Sequence, residues 1–132
     1  LKDSVMTALY PKPESQASEK MLTLSLQAPA EARVNQEFEI RVVADGDLDS
    51  FNNKINYSKD QIQALRIEVA GSDVNSWYKE EFDNNLGEIY LAGNITPKEG
   101  QKNIAKLVFK ANTKGQAKLM IEGQKEITIN IK

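Results

Sequence analysis

From Met21 to the end of the chain, hydrophobic and polar residues alternate with a period of two in one segment after another, the spacing at which a strand sends successive side chains to opposite faces. Leu22, Leu24 and Leu26 alternate with Thr23 and Ser25; Phe38, Ile40, Val42 and Ala44 alternate with Glu37, Glu39 and Arg41. Further strands are predicted over Phe51–Tyr57, Ala64–Val69, Glu88–Gly93, Ile104–Ala111, Gln116–Glu122 and Glu126–Ile131. In the last of these Ile127, Ile129 and Ile131 face one way while Thr128 and Asn130 face the other. Turn-forming residues separate the strands at Ala28-Pro29-Ala30, Ala44–Ser50, Thr96–Gln101, Asn112–Gly115 and Glu122-Gly123-Gln124. Only Ser72–Asn85 departs from the rule. There Val74, Trp77, Tyr78, Glu81 and Phe82 fall three and four apart, which predicts one or two helical turns. The pattern as a whole is all-β: an antiparallel β-sandwich with jelly-roll topology, about eight or nine strands, and one short helical segment near residues 72–85. Two sheets packed face to face hide one row of side chains from each strand.

Residues 1–20 read differently. Val5, Met6, Leu9 and Tyr10 are apolar, but Pro11–Ser18 is rich in proline and small polar residues, so a linker or N-terminal arm is expected over 1–20 and a single domain over 21–132. The first residue is Leu1 rather than Met, which reads as a fragment excised from a longer protein.

Composition narrows the chemistry. The 132 residues contain no Cys and no His, so zinc fingers, disulfide scaffolds and nucleophile–imidazole pairs are excluded. A net charge of −2 offers no electrostatic attraction to nucleic acid or an anionic bilayer. No apolar run approaches the ~18–20 residues of a membrane span, so no direct membrane insertion is expected. An enzyme is not expected either: the 19 Asp and Glu residues could contain a glycosidase pair, but nothing signals the cleft such a pair needs.

Four segments in order resemble cohesin modules, the bacterial jelly-roll sandwiches of cellulosomes and related surface proteins. They are Ala32–Val42, Phe51–Ile62, Gly87–Gly93 and Ile104–Ala111, the last followed by Gly115 and Ala117-Lys118-Leu119. The resemblance covers about residues 21–132. Two positions depart from it. The Tyr-Asp-Pro of the family is Tyr57-Ser58-Lys59 here, and the glycine of the first turn is Asn35 or Gln36. Asn53 also sits between Phe51 and Ile55, where alternation assigns the core and a buried amide needs partners; either it is buried or a local bulge turns it outward.

The resemblance implies a non-catalytic protein–protein recognition module of an exported or cell-surface bacterial protein, with a dockerin-like, calcium-binding helix pair as partner. Carried over position by position, the partner-binding residues are Ser50, Asn52, Lys54 and Asn56 on one strand and Glu88 and Tyr90 on its neighbour; any solvated sheet face also carries polar residues. Other readings have their own residues. Trp77 and Tyr78 would serve carbohydrate binding to a polysaccharide, by stacking sugar rings. Asp45, Asp47 and Asp49 have the i, i+2, i+4 spacing that begins a calcium loop, but Ser50 and Asn56 stand where that loop needs Gly and Glu. No other cofactor is expected. A structural spacer, cross-linked through Lys54, Lys106 or Lys110, is the third class, and Asn56-Tyr57-Ser58 and Asn94-Ile95-Thr96 are glycosylation sequons.

Overall fold

Each alternating stretch forms a strand. The computed structural model describes residues 22–46, 49–96 and 100–132; the predicted linker or arm over 1–20 lies outside them. Ten strands follow in order: β1 (Thr23–Gln27), β2 (Glu31–Ala32), β3 (Glu37–Asp45), β4 (Ser50–Tyr57), β5 (Ile62–Glu68), β6 (Val74–Asp83), β7 (Glu88–Ile95), β8 (Lys102–Ala111), β9 (Gly115–Ile121) and β10 (Ile127–Ile131). They form a four-stranded sheet, β1-β3-β8-β5, and a six-stranded sheet, β2-β10-β9-β4-β7-β6. All neighbours run antiparallel except β10 and β2, which pair in parallel through Asn130–Glu31 and Ile131–Ala32.

The inward rows are those the alternation predicts. Ile40, Leu107 and Phe109 from the four-stranded sheet and Ile55, Ile89, Leu91 and Leu119 from the six-stranded sheet are each at most 1% exposed, and each such side chain contributes roughly 1.5–3 kcal/mol relative to exposure. Phe38 is half-buried and stacks on Phe109, ring centroids 5.8 Å apart.

The predicted helix over 72–85 is absent; the segment is strand β6, at the edge of the six-stranded sheet. Its register against β7 slips twice: Val74 pairs with Ile95 and Ser76 with Asn94, then Trp77 pairs with Gly93 and Lys79 with Ala92. Asn75 and Tyr78 are therefore extra residues in two bulges. Each bulge lengthens a period of two to three, so Val74 and Trp77 meet the inward-facing Ile95 and Gly93 at a spacing that imitates a helix. Two elements, β2 and β6, thus extend the eight strands read from alternation to ten.

The departures from the cohesin pattern are accommodated locally. Asn35 has φ of 70°, the left-handed region that glycine usually fills and that asparagine tolerates better than most residues. Ser58 replaces an aspartate but still ties β4 to β9, because its Oγ accepts from Lys118 N at 2.9 Å and its N–H donates to Lys118 O at 3.0 Å. Asn53 is half-buried and pairs with Leu91 without a register shift in β4. No bulge turns it out. The ladder between β9 and β4 ends at Ile121 and Ile55, so Asn53 lies on the inward side beyond the last β9 pair, where exposure lets its amide keep water.

Candidate recognition face

The outer face of β9-β4-β7-β6 is where the residues expected to bind a partner meet. β4 and β7 are hydrogen-bonded neighbours, with Ser50 opposite Asn94, Asn52 opposite Ala92, Lys54 opposite Tyr90, and Asn56 opposite Glu88. Because side chains alternate, Ser50, Asn52, Lys54 and Asn56 share one face with Glu88 and Tyr90. β6 extends the row through Lys79, opposite Ala92, and Glu81, opposite Tyr90; β9 extends it through Met120, opposite Asn56.

Two hydrogen-bonded chains fix this surface. In the first, Lys54 Nζ lies 3.1 Å from Glu88 Oε2 and 3.7 Å from Glu122 Oε2, Tyr90 OH donates to Glu88 Oε1, and Lys79 Nζ sits 4.8 Å above the Tyr90 ring. In the second, Ser50 Oγ bonds to Asn94 Oδ1 at 3.0 Å and lies 3.2 Å from Asp49 Oδ1, while Asn94 Nδ2 donates to Tyr78 OH. The electrostatics follow from the contacts. The Tyr90 hydroxyl and then the Lys54 ammonium hold the Glu88 carboxyl below the usual carboxylate range. Glu88 in turn raises Lys54 and Tyr90 above their ordinary values, in each case chiefly through the hydrogen bond. Asn52 lies between the two chains, exposed and without a side-chain hydrogen bond among the described residues, beside Ala92. A shallow hollow of about 250 Å³ continues the face toward β9, lined by Asn56, Ser58, Lys118, Met120 and Glu126.

Solved structures share this two-sheet arrangement. The sixth cohesin of scaffoldin B from Acetivibrio cellulolyticus, in complex with a mutant dockerin, superposes with a TM-score of 0.61 at 11% identity, covering 85% of this chain and 94% of that one. A cohesin module from a Clostridium perfringens family 33 glycoside hydrolase gives 0.59 at 14% identity, covering 86% and 99%. A non-cellulosomal cohesin from the archaeon Archaeoglobus fulgidus gives 0.58 at 12% identity, covering 82% and 83%. The chain has a cohesin-like fold. No protein-family model matches the sequence, and no curated protein shows significant similarity to it.

The other residues singled out in the sequence do not gather into a second site on the cohesin-like domain. Trp77 and Tyr78 do not form a platform: Trp77 packs edge-to-face on Phe51, centroids 5.5 Å apart, whereas Tyr78 is a bulge residue 66% exposed. Neighbours in a strand leave by opposite faces, and sequence reasoning that takes the segment as helical cannot see that. Asp47 lies outside the described residues. Asp45 and Asp49 are exposed, and no cluster of three or more carboxylates that could hold a metal occurs among the described residues. Lys106 contacts Glu39 across a strand pair at 3.8 Å. Asn94, within a sequon, is engaged by Ser50 and Tyr78, while Asn56 is half-buried on the face. Sequence reasoning missed Lys79, Tyr78 and Asn94 as parts of the face; the β6 register brings Lys79 and Tyr78 there, whereas Asn94 continues the alternation of β7 one residue past the predicted strand end at Gly93.

Proposed function

We propose that this domain is a non-catalytic recognition module of an exported or cell-surface bacterial protein, and that it binds a dockerin-like partner through the outer face of β9-β4-β7-β6. The observation that supports this most is the face itself. Ser50, Asn52, Lys54, Asn56, Glu88 and Tyr90 lie side by side, and most of them are already held in place by neighbours rather than free to move. Side chains ordered before contact lose less entropy on binding, and tyrosine is among the residues that most often anchor an interface. Asn52 keeps its amide free at the centre, where a partner's polar group can take it. Two cohesin neighbours, one of them type II, were solved in complexes with dockerins, which makes a dockerin-like helix pair the partner to test first. The calcium in this reading belongs to the dockerin-like partner.

Titration with a panel of calcium-loaded dockerin modules, followed by calorimetry, tests the reading. Saturable one-to-one binding that is lost with EDTA is expected. Asn52→Arg, at an exposed position, should keep the thermal midpoint and weaken that binding at least about tenfold. No binding across the panel, or an affinity that Asn52→Arg leaves unchanged, overturns the assignment.

A further inference from the structure

The opposite face of the sandwich carries an electrostatic arrangement that partner binding does not explain. Across the four-stranded sheet, Gln27, Arg41, Lys106 and Glu68 form one outward row, with Arg41 directly opposite Lys106 and Lys106 opposite Glu68. Like charges directly opposed on antiparallel neighbours are unfavourable. Glu68 would relieve them, but Arg66 Nε holds its Oε2 at 2.8 Å. Lys106 leans instead toward Glu39, and the Arg41 guanidinium reaches only the neutral Asn103 Oδ1, at 3.4 Å. Arg41 has no carboxylate partner among the described residues.

These two cations border a groove of about 380 Å³ whose floor includes Ala105 and whose far wall is the segment after β5, Ala70-Gly71-Ser72. The groove exists because β8 bulges there: Val42 pairs with Ala105 and Val43 with Asn103, so Ile104 is an extra residue. Its wall is rigid. Ser72 Oγ donates to Ile104 O at 2.7 Å and accepts from Val74 N at 3.0 Å, while Asp73 N–H donates to Asn103 O and Asn103 N–H to Asp73 Oδ2, both at 2.8 Å. Gly71 leaves open space, since a side chain there would meet nothing within 4 Å.

We propose that this groove binds a uronic acid unit of an acidic polysaccharide, its carboxylate lying between Arg41 and Lys106. An anion at that point removes the opposition of the two cations, and guanidinium is the group best shaped to hold a carboxylate. The carboxylates of Glu39 and Glu68 on the groove border decide the class of ligand. They accept hydrogen bonds from ring hydroxyls, which the side chains of an acidic peptide do not offer beside their carboxylates. One carboxylate surrounded by hydroxyl donors is the chemistry of a uronate.

The test is calorimetric titration of the whole chain with trigalacturonate, with maltotriose as the uncharged comparison and free glutamate as the bare carboxylate. Saturable binding of trigalacturonate is expected, at least about tenfold tighter than either comparison, and at least about tenfold weaker after Arg41→Gln or Lys106→Gln. Arg41→Gln should hold or raise the thermal midpoint, whereas loss of a structural arginine would lower it. Asn52→Arg should leave trigalacturonate binding intact, which separates this groove from the opposite face. Absent binding, equal binding of maltotriose, equal binding of glutamate, or indifference to Arg41→Gln overturns the proposal.

Discussion

Two polar clusters adjoin the hairpin of β6 and β7, and they do different work. At its turn, Asn84 is half-buried; its Oδ1 accepts from Tyr57 OH and from Ala64 N at 2.8 Å, and its Nδ2 donates to Ala64 O at 2.9 Å. The side-chain amide thus serves both backbone groups of Ala64 as a further strand would, next to the bulge where Leu65 is an extra residue in β5. One residue couples the six-stranded sheet to the four-stranded one. Further along β7, the Lys54–Glu88–Tyr90 cluster lies on the surface, where water would serve the same groups equally well. The worth of a hydrogen bond depends on what its partners do when it is gone. The Asn84 joint therefore governs stability, and the Lys54 cluster governs the shape of the face.

The sharpest way to break this comparison is Asn84→Ala. It strands the N–H and C=O of Ala64, a residue only 4% exposed, and leaves the Tyr57 hydroxyl only the Asp83 carbonyl, at 3.4 Å. A loss of about 2–3 kcal/mol in urea unfolding is expected. Asn85→Ala, at an exposed neighbour that uses only its backbone N–H, should be close to neutral. If the two substitutions cost the same, water replaces the amide and the joint has no special role.

The same contrast marks what could be read from the sequence. Eight strands were legible because burial on one face of a strand writes itself as a period of two, and the face residues followed because β4 and β7 keep that period with Asn53 as the one interruption. β6 was illegible for a physical reason: two bulges shift its phase, and the resulting threes and fours are what a helix also produces. Asn84 was invisible too, since an asparagine in a turn looks the same whether it faces solvent or reaches across to another sheet. The opposition of Arg41 and Lys106 needs a register, and alternation alone supplies none.

A smaller effect is expected at Tyr57, which is 7% exposed and packs edge-to-face on Phe109 with centroids 5.2 Å apart. Tyr57→Phe keeps that packing and removes one partner of Asn84, so about 1 kcal/mol should be lost at neutral pH. Its pH dependence is more telling. Burial, aided by the charge of Asp83, pushes the Tyr57 hydroxyl up to about 12. Below the ordinary value near 10 both states keep the proton; above it the unfolded chain ionises first, so stability falls as pH rises through the folded value. Alkaline unfolding of the native chain should therefore be steeper than that of Tyr57→Phe between about pH 10 and 12. Parallel curves would mean that the hydroxyl is open to water in the folded state.

The least effect on stability, and the largest on the face, is expected from the Lys54 cluster. Lys54→Gln should hardly move the thermal midpoint, as exposed ion pairs contribute little, while dockerin affinity falls at least about tenfold because Glu88 loses the ammonium that holds it. Acid titration separates the cluster from ordinary surface charge. Glu88 is lowered, so its contribution is present above the usual carboxylate range and is lost only as pH falls through the lower folded value; Lys54 is raised, so its own persists until pH climbs through the higher one. The arrangement should hold from mildly acid to alkaline solution. Since the Tyr90 hydroxyl and then the Lys54 ammonium hold the Glu88 carboxyl down, Tyr90→Phe and Lys54→Gln should each move it upward when followed by carbon NMR. If Glu88 titrates in the usual range in the native chain, the cluster is not formed in solution and the face has no fixed shape to offer a partner.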